Sequence, residues 1–155
     1  MKWILILIAI LVLAAVIALF VLGKQSETGQ VAGIIDGKLR PCPDNPNCVC
    51  SEYPLDTGHF IEPLNLSEQS VEELLPILAI IVTEMGGKTK NIGTDHLHVT
   101  FSSAIFGFVD DFEIRIDSTE ALIHFRSASR VGRSDLGTNR KRVELFRAHV
   151  NDDLK

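Results

Sequence analysis

The sequence predicts an α+β fold: one N-terminal transmembrane helix, then a small antiparallel sheet with helices on one face. Three observations predict it. Residues 3–22 form an unbroken apolar run, WILILIAILVLAAVIALFVL, with no charge and no proline. Segments near 96–101, 108–116 and 121–128 alternate apolar and polar residues, the two-residue period of a strand with one core face. Two flanking segments, beginning near Ser70 and Asn139, repeat their apolar residues at helical spacing. With the anchor set aside, the chain of 155 residues keeps roughly 110–130 for one core, enough for independent folding.

A helix rises about 1.5 Å per residue, so the run opened by Trp3 and closed by Leu22 matches a bilayer's hydrocarbon thickness. A cleaved signal peptide has a shorter apolar region followed by small residues. Here Phe20, Val21, Leu22, Gly23 and Lys24 close the run, and no cysteine follows closely, so an uncleaved anchor is expected. The positive-inside comparison sets Lys2 against Lys24, Lys38 and Arg40, a small difference. A short N-terminal tail before a long domain places the N-terminus in the cytoplasm and the domain outside it. The expected organisation is an anchor over 1–23, a linker over 24–38 and a soluble α+β domain over 39–155.

Pro41, Pro43 and Pro46 exclude helix and central strand from the segment after the linker, which reads as an irregular loop. Ser70-Val71-Glu72-Glu73 is a capping box. Val71, Leu74, Leu75, Leu78, Val82 and Met85 give the helix that follows its core stripe. Pro76 should kink this helix or delay its start, and Gly86-Gly87 should end it. A short strand is expected over 88–92. On the next three strands, Leu97, Val99, Phe101, Phe112, Ile114, Ile116, Ile123 and Phe125 face the core. The last helix, over about 139–150, buries Val143, Phe146 and Val150.

The other face of those strands carries His96, His98, Asp111, Glu113, Arg115, His124 and Arg126. A tight turn at Ser118-Thr119 would pair Ile116 with Ala121, setting Glu113 opposite His124 and Asp111 opposite Arg126. Phe101 opposite Phe108 would set His98 beside Asp111 and His96 beside Glu113. This face reads in two ways. It is a solvated set of charge pairs, or a group of imidazoles and carboxylates able to hold a metal or move protons. Asp110 shares the core face with Phe112, and a buried carboxylate needs a partner. Ser127 is its expected neighbour, with Arg130 or Arg140 in reach.

Charge is unevenly spread around a net of −5. Residues 25–123 hold 16 Asp and Glu against 5 Lys and Arg, whereas 124–147 hold 2 against 7. An acidic body with one basic segment argues against a nucleic-acid binder, which needs a broad basic face. It allows a local anion site where the last strand meets the last helix. Arg126, Arg130 and Arg140 lie there among Ser127, Ser129, Ser134, Asp135 and Asn139, and arginines beside a helix N-terminus suit an anion. The plainer reading is a capped loop whose arginines pair with the acidic body. No nucleophile elbow, Walker loop or dinucleotide motif is present, and no motif calls for a cofactor or metal.

Cys42, Cys48 and Cys50 are the only thiols. In an exported domain, Cys42 with Cys48 would close a short loop and leave the third free or pairing between molecules. Zinc with His59 as a fourth ligand is the rival, although the C-x5-C-x-C-x8-H spacing matches no standard zinc motif. Inert thiols are the third reading.

Three ordered motifs are similar to those of the domain of unknown function family fourteen-ninety-nine. They are CPDNPNCV beginning at Cys42, FGFVDD beginning at Phe106, and the stretch from Arg126 to Arg142 with its RSASR, SDLG and NRKR pieces. The resemblance covers about residues 39–147. It implies Cys42 with Cys48 as the disulfide, because Cys50 stands where the family more often has serine. It also implies exported or membrane-tethered relatives, and no established activity.

Three functions follow as expectations. The first is a membrane-anchored binding or interaction module whose arginine loop takes an anionic small molecule, a lipid head group or a protein partner. The second is a tethered hydrolase or transferase, with Asp110 or Asp111 as base, the arginines as anion stabilisers and His98 or His124 as proton carrier. The third is a purely structural cell-envelope protein.

Overall fold

The computed structural model describes residues 1–66 and 70–153; the last two residues of the expected domain, Leu154 and Lys155, lie outside these. The chain is α+β, in the element order α1 (Lys2–Glu27), β1 (Ile34–Ile35), β2 (Lys38–Leu39), β3 (Cys48–Cys50), β4 (Leu64–Asn65), α2 (Val71–Glu84), β5 (Lys88–Ile92), β6 (His96–Ser102), β7 (Val109–Asp117), β8 (Leu122–Ser129) and α3 (Thr138–Asp153). The main sheet is antiparallel in the order β3-β8-β7-β6-β5, with β4 on the same edge of β8 as β3. β1 and β2 form a separate two-stranded hairpin.

α2 and α3 cover one face of the sheet. Leu74, Leu78 and Val82 from α2 and Val143, Phe146 and Val150 from α3 meet Val99, Phe112, Ile114 and Phe125 from the strands. Phe146 stands edge-on to Phe112 and Phe125, with ring centres 5.3 and 5.6 Å away. The capping box at Ser70 is formed, and α2 starts at Val71 despite Pro76. The hydrogen bond that Pro76 cannot donate would have reached the carbonyl of Glu72, which is exposed in the first turn and open to water. Gly86 takes a left-handed φ of 87°. Gly86 N then bonds to Thr83 O and Gly87 N to Val82 O, the paired bonds that close a helix end.

The register differs from the expected one by two residues at both hairpins. Asp117 pairs with Leu122, so the β7–β8 turn holds four residues rather than two. The Asp117 carboxylate organises that turn by accepting from the N–H groups of Thr119 and Glu120, both at 3.0 Å. Glu113 consequently faces Arg126, Arg115 faces His124, and Asp111 faces Ala128. On the other side, Phe101 faces Asp110 rather than Phe108, and His98 faces Glu113. A shift of two preserves every side chain's face, so the face assignments hold; the directly opposite residues change, while His98 still reaches Asp111 and His96 still reaches Glu113 diagonally.

The polar face is not solvated. His98, Asp111, Glu113, Arg115, His124 and Arg126 are all buried. Residues 24–40 lie across it. α1 runs on to Glu27, and Gly23 and Ser26 are buried against the domain. Gly33 N donates to Glu113 Oε1 at 2.9 Å, and Leu39 N donates to Glu52 Oε1 at 3.2 Å.

Candidate functional site

Three groupings gather the polar side chains singled out in the sequence. The first is the buried polar face. His98 Nε2 lies 2.7 Å from Asp111 Oδ1, and Arg130 grips the same carboxylate with Nε and Nη2, both at 2.8 Å. Burial alone would raise the Asp111 carboxyl, but the bonds from His98 and Arg130 outweigh it and hold it below its ordinary value. Arg130 Nη1 also donates to the carbonyls of Ser26 and Glu27. Those carbonyls lie at the C-terminus of α1, where a cation is favoured. Arg126 pairs with Glu113 at 3.3 Å, and Arg115 makes a two-point contact with Glu52. His124 Nδ1 lies 3.1 Å from Ser51 Oγ, and burial lowers its imidazole pKa.

The second grouping centres on Asn139, at the start of α3. Its amide donates to Asn47 O, Ser129 Oγ and Asp135 Oδ2, and its carbonyl oxygen accepts from Ser127 Oγ and Arg142 Nη1. Asn47 in turn donates to Gly132 O. The cysteine loop and the arginine loop are thereby locked to one another. Asp135 accepts from the N–H groups of Gly137 and Asn139. Its carboxyl is held below its ordinary range: burial, the largest influence, opposes this, and those amide bonds prevail. The partner of Asp110 is Arg142, at 2.7 Å, rather than Arg130 or Arg140. Arg140 is exposed and lines a small hollow of about 230 Å³ with Lys141 and Cys48.

The third grouping is a cleft of about 610 Å³ at the joint between α1 and the domain. Its apolar lining is Leu19 and Leu22 of α1, with Phe101, Phe108 and Val131. Its polar lining is the Asp110–Arg142 pair, Asp135, Thr138 and the hydroxyls of Ser102, Ser103, Ser129 and Ser134, and Phe101 adjoins both Asp110 and Arg142. The joint is tight. A Cβ on Gly23 would lie 1.8 Å from the carbonyl oxygen of Phe106, Phe20 and Phe106 meet edge-to-face at 5.1 Å, and Val109 N donates to Ser26 Oγ at 2.9 Å.

The expected residues thus separate. Asp110, Ser129, Ser134 and Asp135 converge on the cleft. Asp111, His98, Arg126 and Arg130 lie on the opposite face of the sheet, as alternation requires of the neighbours Asp110 and Asp111. His124 shares that buried face, opposite Arg115 and beside Ser51. Sequence reading missed Arg142, Ser102, Ser103, Leu19 and Leu22 as cleft residues. Arg142 carried a signal, since it stands three residues after Asn139 and shares its helix face.

Cys42 and Cys48 form a disulfide. That overturns the zinc reading, and His59 pairs instead with Asp56 at 2.8 Å. Cys50 is a buried free thiol, pushed up to about 11 by burial. Ligand atoms of Asp117, Glu120 and His124 lie within 4.8 Å of one another, but Arg115 already occupies Asp117 Oδ2.

Fold and site define an α+β domain carried on one helix long and apolar enough to cross a membrane, with a cleft of mixed apolar and polar lining at the joint. The chain belongs to the family described as Protein of unknown function (DUF1499), whose model matches residues 38–150. No curated protein matches the chain.

Proposed function

We propose that the protein is a membrane-tethered binding module that takes an amphiphile from the bilayer into the cleft beside α1. The observation that carries this reading is the make-up of the cleft, whose lining joins Leu19 and Leu22 of the apolar helix to the Asp110–Arg142 pair and serine hydroxyls of the domain. Leu19 and Leu22 belong to the last turn of the 20-residue apolar run. That run matches a hydrocarbon core of about 30 Å, so the cleft opens where acyl chains give way to head groups. A volume of about 610 Å³ suits part of a lipid, with a chain against the leucines and a head group against the hydroxyls. The exposed Ile105, on the loop that carries Phe106 and Phe20's contact, supports the same siting at the bilayer surface.

The expected anion site gains less support. Arg126 and Arg130 are held in internal ion pairs, which leaves Arg133, Arg140 and Lys141 as the exposed cations on or beside that loop. The Cys42–Cys48 disulfide supports a domain outside the cytoplasm, where such bonds persist.

The test compares the full chain with Val131→Trp, which fills the cleft from an edge loop. Both proteins are extracted in mild detergent, and co-purifying lipid is counted by native mass spectrometry. Wild type should retain one lipid that the variant loses while keeping its thermal transition. Equal retention in both would overturn the reading.

A further inference from the structure

Resting on the cleft as a lipid site, we infer that its head-group end selects an uncharged, hydroxyl-rich lipid, of the glycosyl diacylglycerol kind, over an anionic phospholipid. The cleft-lining groups that would hold an anion are already engaged, and the exposed Arg133 is not among the lining residues. Arg142 gives Nη2 to Asp110 and Nη1 to Ser127 and Asn139, and its guanidinium lies 4.6 Å from the Phe101 ring centre. The N–H groups at the start of α3 are taken by the Asp135 carboxylate. Two aspartates against one arginine leave the lining formally negative, so a phosphate entering it would be desolvated beside like charge.

The hydroxyls, in contrast, keep their protons. Ser103 Oγ accepts from Phe108 N, Ser129 Oγ from Asn139 Nδ2, and Ser134 Oγ from Leu136 N. Each of these oxygens acts as acceptor within the protein, and among the described residues no acceptor takes its own proton. A serine hydroxyl can donate one bond while accepting others, so three donors remain for a ligand. Asp110 Oδ1 adds an acceptor, because the Arg142 bond falls on Oδ2. Donors and a carboxylate acceptor beside the Phe101 and Phe108 rings match sugar hydroxyls, which give and take hydrogen bonds at the same time.

The experiment places the full chain in phosphatidylcholine nanodiscs containing equal small fractions of glucosyl diacylglycerol and phosphatidylglycerol. Lipid retained after detergent transfer is measured for wild type, Val131→Trp and the Ser103→Ala/Ser134→Ala double variant, whose exposed positions spare the fold. The expected result is glucosyl lipid enriched at least fivefold over phosphatidylglycerol in wild type. Enrichment should fall at least threefold in the serine variant and vanish in Val131→Trp. Preferential phosphatidylglycerol retention that Val131→Trp abolishes would overturn the head-group inference and leave the cleft standing. No enrichment of either lipid, with equal lipid content in wild type and Val131→Trp, would overturn both.

Discussion

The two faces of the main sheet are both buried, and by different means. On one face, Phe112, Phe125 and Phe146 pack with the stripes of α2 and α3. On the other, Glu113 pairs with Arg126, Asp111 with His98 and Arg130, and Arg115 with Glu52 and Asp117, beneath residues 24–40. The apolar face is stabilised by area removed from water and tolerates imprecise neighbours. The polar face holds only while every charge keeps a partner, because a buried charge left alone is costly. Strand alternation therefore reports which side chains share a face. It does not report which face meets water.

Breaking either face should cost a similar large amount. Phe146→Ala empties the space between two rings and should lower stability by about 3–5 kcal/mol. Glu52→Ala leaves Arg115 without its two-point partner, and should cost about 3–5 kcal/mol. Chemical unfolding of the full chain in detergent measures both. The faces differ in how they are rescued. Replacing the whole pair, Glu52→Met with Arg115→Met, should recover most of the loss. The remainder reflects Leu39 N, which loses its acceptor, and Asp117, which loses its bonds from Arg115. A double variant as unstable as the single one would show that the charges themselves hold residues 24–40 in place.

Removing the Cys42–Cys48 disulfide as a serine pair should cost less, about 2 kcal/mol for so short a loop.

The order and faces of the elements were legible because they follow from local rules. The capping box at Ser70, Gly86 after α2 and the alternation of β6 to β8 are each written in a few adjacent residues. The register was not legible, because the Asp117 side chain builds a four-residue turn where the spacing also allowed two. The burial of the polar face was hidden as well. Residues 24–40 have little apolar content of their own, and what they cover is decided by bonds such as Gly33 to Glu113, across the length of the chain. The near-balance of carboxylates and cations on that face was the available hint. The cleft was invisible for a third reason: the apolarity of Leu19 and Leu22 is already accounted for by the membrane run, so nothing marked them as a wall.

Acid sharpens the contrast between faces. Asp111 titrates below its ordinary 3.8 in the folded protein, so near that pH the unfolded chain binds more protons than the folded one. Its stabilising contribution is present above pH 3.8 and is lost as the pH falls through the lower folded value. His124, held below 6.5 by burial, acts in the same direction at higher pH: the unfolded chain charges first, and stability declines as pH drops below 6.5. Leu78→Ala on the apolar face should lower the stability-versus-pH curve without changing its shape, whereas Asp111→Asn should flatten its acid limb. The smallest effect concerns Cys50. Its buried thiol, at about 11, should stay unalkylated by iodoacetamide at pH 8 in the native protein and react promptly in denaturant.

The central claim is that the cleft at the foot of α1 holds lipid, and photocrosslinking within the bilayer tests it most directly. A diazirine lipid carrying its reactive group near the glycerol is incorporated with the full chain into vesicles, and labelled peptides are mapped after irradiation. Labels should fall across the cleft lining, in residues 101–109 and 129–138 as well as at Leu19 and Leu22, with the first two sets lost in Val131→Trp. Labels confined to residues 3–22, unchanged by that substitution, would contradict it.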